Sequence, residues 1–282
     1  MTQFFEDASI NPMLMRGIYA GLLAAVACGV IGPYVVTRRF VFLAGAIAHT
    51  AVGGIGFAIW LRHQAPDSFE WFTPLHGATL AALLGALVVG IVQDRARERL
   101  DTLIGAIWAI GMSVGILLLK YTPGYHTELT SYLFGNIVSV PVEQIRLVIV
   151  LDVLIVGVVL VMHKRLLAVC LDEEQARLQG VPVLATNLIL LALVALAVVC
   201  LIQVVGLILV LALLTLPAAT AGHIVHRLGA VMFVSTLLCA ALTTLPRIGV
   251  YGTRISPESA IVLSAAVVYG LVLAGRWALR RR

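Results

Sequence analysis

The chain has 282 residues, of which 61% are hydrophobic and 12% charged, and its mean hydropathy is +1.05. These fractions exclude an ordinary soluble globular domain and indicate that most of the chain lies in lipid. Since about 20 helical residues cross a hydrocarbon core of roughly 30 Å, the length allows on the order of nine spans and no soluble catalytic domain.

The N-terminal segment is expected to stay in the protein. It carries Glu6 and Asp7 before the first apolar run and has no basic region, unlike a cleavable secretory signal.

Apolar runs predict an all-α polytopic bundle that forms a single transmembrane domain over residues 1–282. The nine predicted spans are Met13–Val36, Phe40–Leu61, Leu75–Val92, Leu103–Leu119, Val142–Met162, Leu184–Val204, Gly206–Ile224, Leu228–Leu245 and Pro257–Leu279. The run is almost unbroken around Gln203 to Gly206, so one long bent helix, giving eight spans, is the alternative.

The distribution of basic residues predicts the orientation in the inner membrane. Lysine and arginine are retained on the cytoplasmic side, and thirteen of the 19 fall in one set of loops or ends, which includes Arg38, Arg97, Arg177 and Arg282. With nine spans, this places the N-terminus outside and the C-terminus in the cytoplasm. The net charge of +5 is therefore a topology signal and not a sign of nucleic-acid binding.

The glycines and cysteines predict features of packing and no metal site or disulfide. Glycines at helix-packing spacing, among them Gly53, Gly54, Gly111 and Gly115, indicate close approach of helices in a compact bundle. The four cysteines are far apart along the chain, and neither a disulfide framework nor a zinc knuckle is predicted from them.

The longest cytoplasmic connection contains a helix with both ends marked. Asp172 and Gln175 have the spacing of a capping box, and Glu173 and Glu174 favour the positive end of the helix dipole. Gly180 and Pro182 predict its end. We expect a helix of about two turns, isolated from the bundle, which needs a partner because so short a helix is marginal in water. It is either an ordinary amphipathic loop helix or a coupling helix that fits a groove on an ATPase.

Several stretches together resemble one family, the permeases of zinc, manganese and iron ABC importers. In chain order they are VTRRFVFLAGAIAHTAVGGIGFA at 36–58, SYLFGNIVSV at 131–140, LDEEQARLQGVP at 171–182, VVGLILVLALLTLPAATAG at 204–222 and SPESAIVLSAAVVYG at 256–270. The resemblance implies a homodimer, cytoplasmic ATPase subunits and an extracellular or periplasmic metal-binding protein.

The same resemblance implies the roles of individual segments. It makes 171–181 the coupling helix, with Asp172, Glu173, Glu174, Gln175, Ala176 and Gly180 as its marked residues. No GxxxxGK[ST] loop occurs in the sequence, so the chain is interpreted as a transport subunit, not an enzyme, whose ATP is hydrolysed by a partner. No permanent cofactor is predicted; a divalent metal ion is the cargo.

His49 is the first candidate contact for the metal. It lies ten residues beyond Arg39, roughly 15 Å into the bilayer, where ionisable groups usually face the bundle or a water path. Neutral imidazole is a preferred ligand of zinc and related ions; a packing histidine is the alternative. Members of the family commonly have Asp where this sequence has Gly45, which puts the metal in question and favours zinc over manganese or iron.

His223 and His226 are candidate exit-side contacts because their spacing of three places both on one helix face. They also lie at a predicted cytoplasmic helix end, where imidazoles are commonly solvated or cap carbonyls.

Asp152 is the acidic residue well inside a span, where a carboxylate without compensation is costly. A pathway contact and a buried hydrogen bond both account for it. Polar residues on the outer side are interpreted as solvated or as attracting cations: His63, Asp67, Glu70, His76, His126 and Glu128.

Pro217 interrupts an apolar run and predicts a kink with a freed carbonyl, in a helix that lines the pathway.

Two other function classes fit the sequence less well. An intramembrane hydrolase is disfavoured because the sequence has no HExxH and no pair of intramembrane aspartates. A stand-alone secondary metal transporter would be expected to use several intramembrane carboxylates, and only Asp152 qualifies.

Overall fold

The computed structural model describes residues 7, 10–95, 100–123, 140 and 142–280, and these residues form helices with no strand among them. The all-α prediction is thus confirmed. The helices are α1 (Pro12–Thr37), α2 (Val41–Gln64), α3 (Pro66–Phe69), α4 (Pro74–Arg95), α5 (Leu100–Lys120), α6 (Val142–Leu171), α7 (Glu173–Leu178), α8 (Val183–Ile224), α9 (Leu228–Gly249) and α10 (Pro257–Arg280). The SYLFGNIVSV motif lies, except for Val140, outside the described residues.

Within the described residues, nine segments are long and apolar enough to cross a membrane, as predicted. The boundary between the sixth and seventh spans lies inside α8. A straight helix of its 42 residues would be about 63 Å long, roughly twice the hydrocarbon thickness. Gly206 breaks the helical path with φ 77° and ψ 167°, a conformation that glycine adopts without steric penalty.

Helix α6 is longer than predicted. The span was expected to end at Met162, but the helix continues to Leu171. The added segment contains no proline or glycine, and the helix stops only where Asp172 begins the next one.

The backbone divides into two compact units that alternate along the chain. One comprises Met1–Arg38, Phe134–Val156 and Cys200–Arg282, and is called unit 1 below; unit 2 comprises Arg39–Leu133 and Gly157–Val199. The assignment of residues 1–282 to one domain stays a prediction.

In unit 2, glycines set the distance between α2 and its neighbours α4 and α5. A Cβ atom added at Gly54 would collide with the Gly77 carbonyl oxygen, and one at Gly53 would lie 2.5 Å from the Gly111 carbonyl oxygen. Backbones this close leave no room for a side chain between them, which confirms the packing predicted from the glycine spacing.

In unit 1, α1 packs against α9. Thr243 lies in α9, and its hydroxyl donates to the carbonyls of Cys239 at 2.9 Å and Gly21 at 3.4 Å. At the helix end, the buried Arg247 directs Nη2 to the Leu14 carbonyl at 3.4 Å. Thr243 and Arg247 of α9 thus each donate to a backbone carbonyl of the neighbouring helix α1.

Candidate functional site

His49 lies on α2 in unit 2 and meets two side chains of α5. Its Nδ1 atom is 2.9 Å from the Met112 sulfur, and its ring stacks on Trp108 with centroids 4.4 Å apart and planes inclined by 21°. A thioether sulfur has no proton to donate, so this contact is a hydrogen bond only in the tautomer protonated on Nδ1. Both side chains that His49 contacts, Met112 and Trp108, are neutral.

Close helix packing brings these groups together. A Cβ atom added at Gly111 would lie 2.6 Å from the Cα atom of Thr50, the residue after His49. The missing side chain at 111 thus allows α5 to approach α2 beside the imidazole. Trp108 and Met112 are four residues apart on α5 and share a face, which presents both to His49.

Sequence reasoning found His49 but missed Met112 and Trp108. Each is an apolar residue in an apolar run, and their four-residue spacing is common in membrane helices. The GxxxG pair of Gly111 and Gly115 beside Met112 was the available signal, because it indicated which face of α5 meets another helix.

Asp152 lies in the part of α6 that belongs to unit 1. Its side chain is only 5% exposed, and neither carboxylate oxygen has a hydrogen-bond partner among the described residues. A carboxylate in this position is costly, so it is a candidate for a polar or cationic partner.

His223 has a cationic neighbour. Arg276 of α10 directs Nη1 to the His223 carbonyl oxygen at 2.9 Å and to the imidazole Nδ1 at 3.1 Å. Since a guanidinium only donates, Nδ1 is the acceptor and the ring is protonated on Nε2. Arg276 therefore caps the end of α8, and its charge opposes a metal ion at this imidazole.

His226 does not share a helix face with His223. Helix α8 ends at Ile224, so His226 lies beyond it, exposed, in the turn before α9. The helical-spacing argument that paired the two residues was wrong, because the helix ends between them. Contact of either residue with the cargo stays a prediction.

Pro217 frees a helix carbonyl as predicted, whereas the non-helical backbone in α8 lies at Gly206. Pro217 has no N–H for the carbonyl four residues earlier, that of Leu213. The buried Cys239 thiol of α9 donates to that oxygen at 3.4 Å. The freed carbonyl is thus satisfied within unit 1 by a cysteine that sequence reasoning treated only as a small hydrophobe.

The polar residues predicted on the outer side are partly gathered. A cavity of about 630 Å³ at the end of α2 and around α3 is lined by Arg62, His63, Pro66, Asp67 and Glu70. His76 is engaged locally instead, because its Nδ1 accepts from the Thr73 backbone N–H at 3.2 Å. His126 and Glu128 lie outside the described residues.

The short helix α7 begins where the sequence predicts. The Asp172 carboxylate accepts from the N–H groups of Glu174 at 2.9 Å and Gln175 at 3.1 Å. The reciprocal half of the capping box differs, since the Asp172 N–H donates to the Ala168 carbonyl at the end of α6. The cap therefore joins α7 directly to the preceding helix.

The helix also ends as predicted. Gly180 has φ 78°, and the N–H groups of Gly180 and Val181 donate to the carbonyls of Arg177 and Ala176, at 3.1 and 3.0 Å. This pair of bonds is a Schellman motif, in which glycine takes the left-handed position.

Helix α7 is not isolated, which corrects the sequence-based expectation. Ala176 is buried against Val169 of α6 and Val183 of α8, and Glu173 Oε1 accepts from Asn187 Nδ2 at 3.0 Å. Fixed on this side, the helix leaves Leu178 90% exposed. A groove of about 260 Å³ beside it is lined by Lys164, Leu167, Ala168, Leu171, Asp172, Gln175, Ala176 and Gln179.

The described residues contain no group of three or more His, Cys, Asp or Glu side chains arranged to hold a metal ion. The candidate contacts above are thus single residues or pairs.

Comparison with known proteins identifies the family. The ABC 3 transport family model matches residues 11–276. The chain belongs to this family. It is 34% identical to a Chlamydia muridarum protein named "Probable metal transport system membrane protein", over 93% of this chain and 89% of that protein.

A more distant relative and a solved structure agree. The manganese transport system membrane protein MntC of Halalkalibacterium halodurans is 27% identical over 96% of this chain and 90% of that protein. The structure of PsaBC from Streptococcus pneumoniae in complex with Fab matches with a TM-score of 0.83 and 25% identity, covering 96% of this chain and 94% of that one. The family resemblance found in the sequence is confirmed, and the chain is a multi-pass membrane protein for metal transport.

Proposed function

We propose that this chain is the translocation subunit of an ATP-driven importer of divalent metal ions, that it acts as a homodimer with cytoplasmic ATPase subunits, and that zinc is its favoured cargo. The observation that carries the proposal is α7, a short capped helix fixed to α6 and α8 on one side and exposed on the other. Because its ends are hydrogen-bonded and its inner face is packed, this helix can pass a movement of the ATPase on to α6 and α8.

The exposed side of α7 supports an ATPase as its partner. Leu178 and Leu171 are 90% and 72% exposed, and the groove beside α7 has an amide side chain on each of Gln175 and Gln179. Exposed leucines rimmed by polar groups are typical of a protein contact. Glu173 is bonded to Asn187 and so holds the helix in place rather than offering a contact.

The test is association with a cytoplasmic ATPase subunit. Leu178→Glu should reduce copurification of the ATPase and ATP-driven uptake severalfold, because it places a charge in the contact without touching the packed face. Ile255→Glu is the matched control, since Ile255 is exposed in the α9–α10 connection. If the Leu178→Glu variant binds the ATPase and takes up metal as well as the wild type, α7 is not the coupling helix.

The choice of zinc rests on residue chemistry, and manganese is the second candidate. Gly45 supplies no carboxylate one turn before His49, and Mn²⁺ favours carboxylate ligands more than Zn²⁺ does. Manganese is favoured by the relative from Halalkalibacterium halodurans, which is named as a manganese transport system membrane protein. Iron shares the borderline chemistry of zinc and stays within the proposed cargo class.

An extracellular or periplasmic metal-binding protein is proposed to deliver the ion. This chain is proposed to have its N-terminus outside and its C-terminus in the cytoplasm. The four native cysteines are buried, so single introduced cysteines report the orientation. Asp67→Cys should react with an impermeant thiol reagent in intact spheroplasts and Glu174→Cys should not; the reverse pattern contradicts the orientation.

A homodimer is proposed from the family resemblance, and the single chain leaves surface for it. Only 11% of the residues in the 18-residue apolar stretch of α10, and 17% of those in the corresponding stretch of α5, are buried. Lipid or a second copy must therefore cover these helices. Native mass spectrometry in detergent distinguishes a dimer, which we expect, from a monomer.

A further inference from the structure

The Met112 sulfur is the second donor atom beside the candidate transit histidine. Its distance of 2.9 Å from His49 Nδ1 joins two helices through residues that are 63 positions apart in the chain. Both side chains are half-buried, whereas Ala48 and Gly111, their chain neighbours, are buried. The pair therefore keeps some exposed surface at a place where the surrounding helices are tightly packed.

Trp108 limits the positions that the imidazole can take. The indole stacks on the His49 ring at 4.4 Å, and the imidazole edge that carries Nδ1 faces the sulfur. Methionine has three side-chain torsions and an unbranched chain. One donor is thus held by stacking, while the other can move to accommodate an ion.

The two donors are neutral and differ from the ligands that hard ions prefer. Thioether sulfur is a soft ligand and imidazole suits zinc, copper, iron and nickel, whereas carboxylate and water suit manganese. Position 45, one turn before His49, is glycine and adds no oxygen ligand. A metal that contacts this pair is therefore selected by affinity for nitrogen and sulfur.

We propose that Met112 contacts the transported metal together with His49, and that this His–Met pair makes the chain select Zn²⁺ and similar borderline or soft ions over Mn²⁺. The inference rests on the proposed transport function and deepens it, because it names a selectivity residue and the class of cargo.

The geometry requires a small adjustment. Metal distances of about 2.1 Å to nitrogen and about 2.3 Å to sulfur, at a tetrahedral angle, separate the two donors by about 3.6 Å. Since the two atoms lie 2.9 Å apart, the pair must open by roughly 0.7 Å, which a methionine torsion supplies. The proton on Nδ1 passes to Nε2, so the imidazole stays neutral and its Nδ1 lone pair becomes available.

The experiment measures competitive uptake of Zn²⁺ and Mn²⁺ by proteoliposomes that contain the dimer and its ATPase. Met112→Leu keeps volume but removes sulfur, and should lower the zinc-to-manganese uptake ratio by about tenfold, the low end for losing support of a metal site. Met112→Gln supplies a hard oxygen and should shift the ratio toward manganese. Met232→Leu is the matched control, a half-buried methionine in α9, and should keep the wild-type ratio.

The outcomes separate this inference from the proposed function. If the wild type imports metal and both Met112 variants keep its ratio, or lose both metals equally, Met112 is a packing residue and the inference is wrong. If Met112→Leu does not assemble, Met112→Gln decides by the same ratio. If the wild type imports no metal with ATP, the proposed function itself fails.

Discussion

Two histidines in membrane helices of this chain have opposite surroundings. His49 faces a neutral thioether and an aromatic ring, whereas Arg276 points its guanidinium at the ring nitrogen and the carbonyl of His223. An imidazole binds a metal ion through an unprotonated nitrogen, and a nearby fixed positive charge opposes that ion. The comparison teaches that the partner helix, not the histidine itself, decides whether a membrane histidine suits a cation.

The largest expected difference lies between His49→Ala and His223→Ala. His49→Ala should abolish metal uptake or reduce it at least about tenfold while the dimer still assembles, since it removes the nitrogen donor. His223→Ala should change uptake by less than about twofold, the usual size of a substitution outside a critical contact. Radiolabelled or fluorometric metal uptake at matched expression measures both. Equal effects of the two variants would remove the distinction between the regions.

The packing that creates the His49 region can be broken at Gly54. Gly54→Val should destabilise the fold by at least about 1–3 kcal/mol, the range for overpacking, because its side chain would collide with the Gly77 backbone. Gly105→Val is the control on a neighbouring helix, where an added Cβ meets nothing within 4 Å. Thermal stability in detergent should fall for the first variant only; similar melting of both would contradict the close-packing account.

Restoring the family's carboxylate at position 45 tests whether the metal passes the face of α2 that carries His49. Gly45→Asp places an acid four residues before His49, on the same helix face. An added anionic oxygen ligand should strengthen metal retention or shift preference toward manganese. Competition between zinc and manganese in the uptake assay measures the shift. An unchanged preference, with the variant folded, would mean that the cargo does not pass this face.

Asp152 gives a smaller, separate test. Asp152→Asn keeps the shape of a side chain whose oxygens have no partner among the described residues but removes its charge. We expect reduced uptake with unchanged or higher stability, because a buried carboxylate without compensation is costly. Normal uptake by the asparagine variant would assign Asp152 a packing role.

The smallest expected effect concerns the helix carbonyl that Pro217 leaves without a backbone donor. Cys239→Val should lower the free energy of unfolding by about 1 kcal/mol, because the carbonyl of Leu213 loses its donor. Pro217→Ala restores an N–H to the helix, so the same cysteine change should have less effect in that background. A double-mutant cycle measures this; equal effects in both backgrounds would show that the thiol does not serve the freed carbonyl.

Local signals in the sequence predicted much of the fold. The lengths of the apolar runs predicted the spans. Asp172 and Gly180 predicted the two ends of α7, because helix caps depend on residues within a turn of each other. The predicted end of α6 at Met162 was wrong, because the three polar residues that follow, His163 to Arg165, do not end the helix.

The candidate site was predicted less completely because its partners are distant in the chain. His49 meets Met112 across 63 positions and His223 meets Arg276 across 53. No spacing rule relates residues on separate helices, so the neutral and charged surroundings of the two histidines appear only in the structure. The expected pairing of His223 with His226 failed for a local reason, the end of α8 at Ile224.

The most direct test of the account is zinc accumulation in proteoliposomes that contain this chain with its ATPase. The account predicts uptake with hydrolysable ATP, little uptake with a non-hydrolysable analogue, and loss of uptake on His49→Ala. Accumulation by the chain alone, without ATP or ATPase, would instead identify a secondary transporter and contradict the central claim.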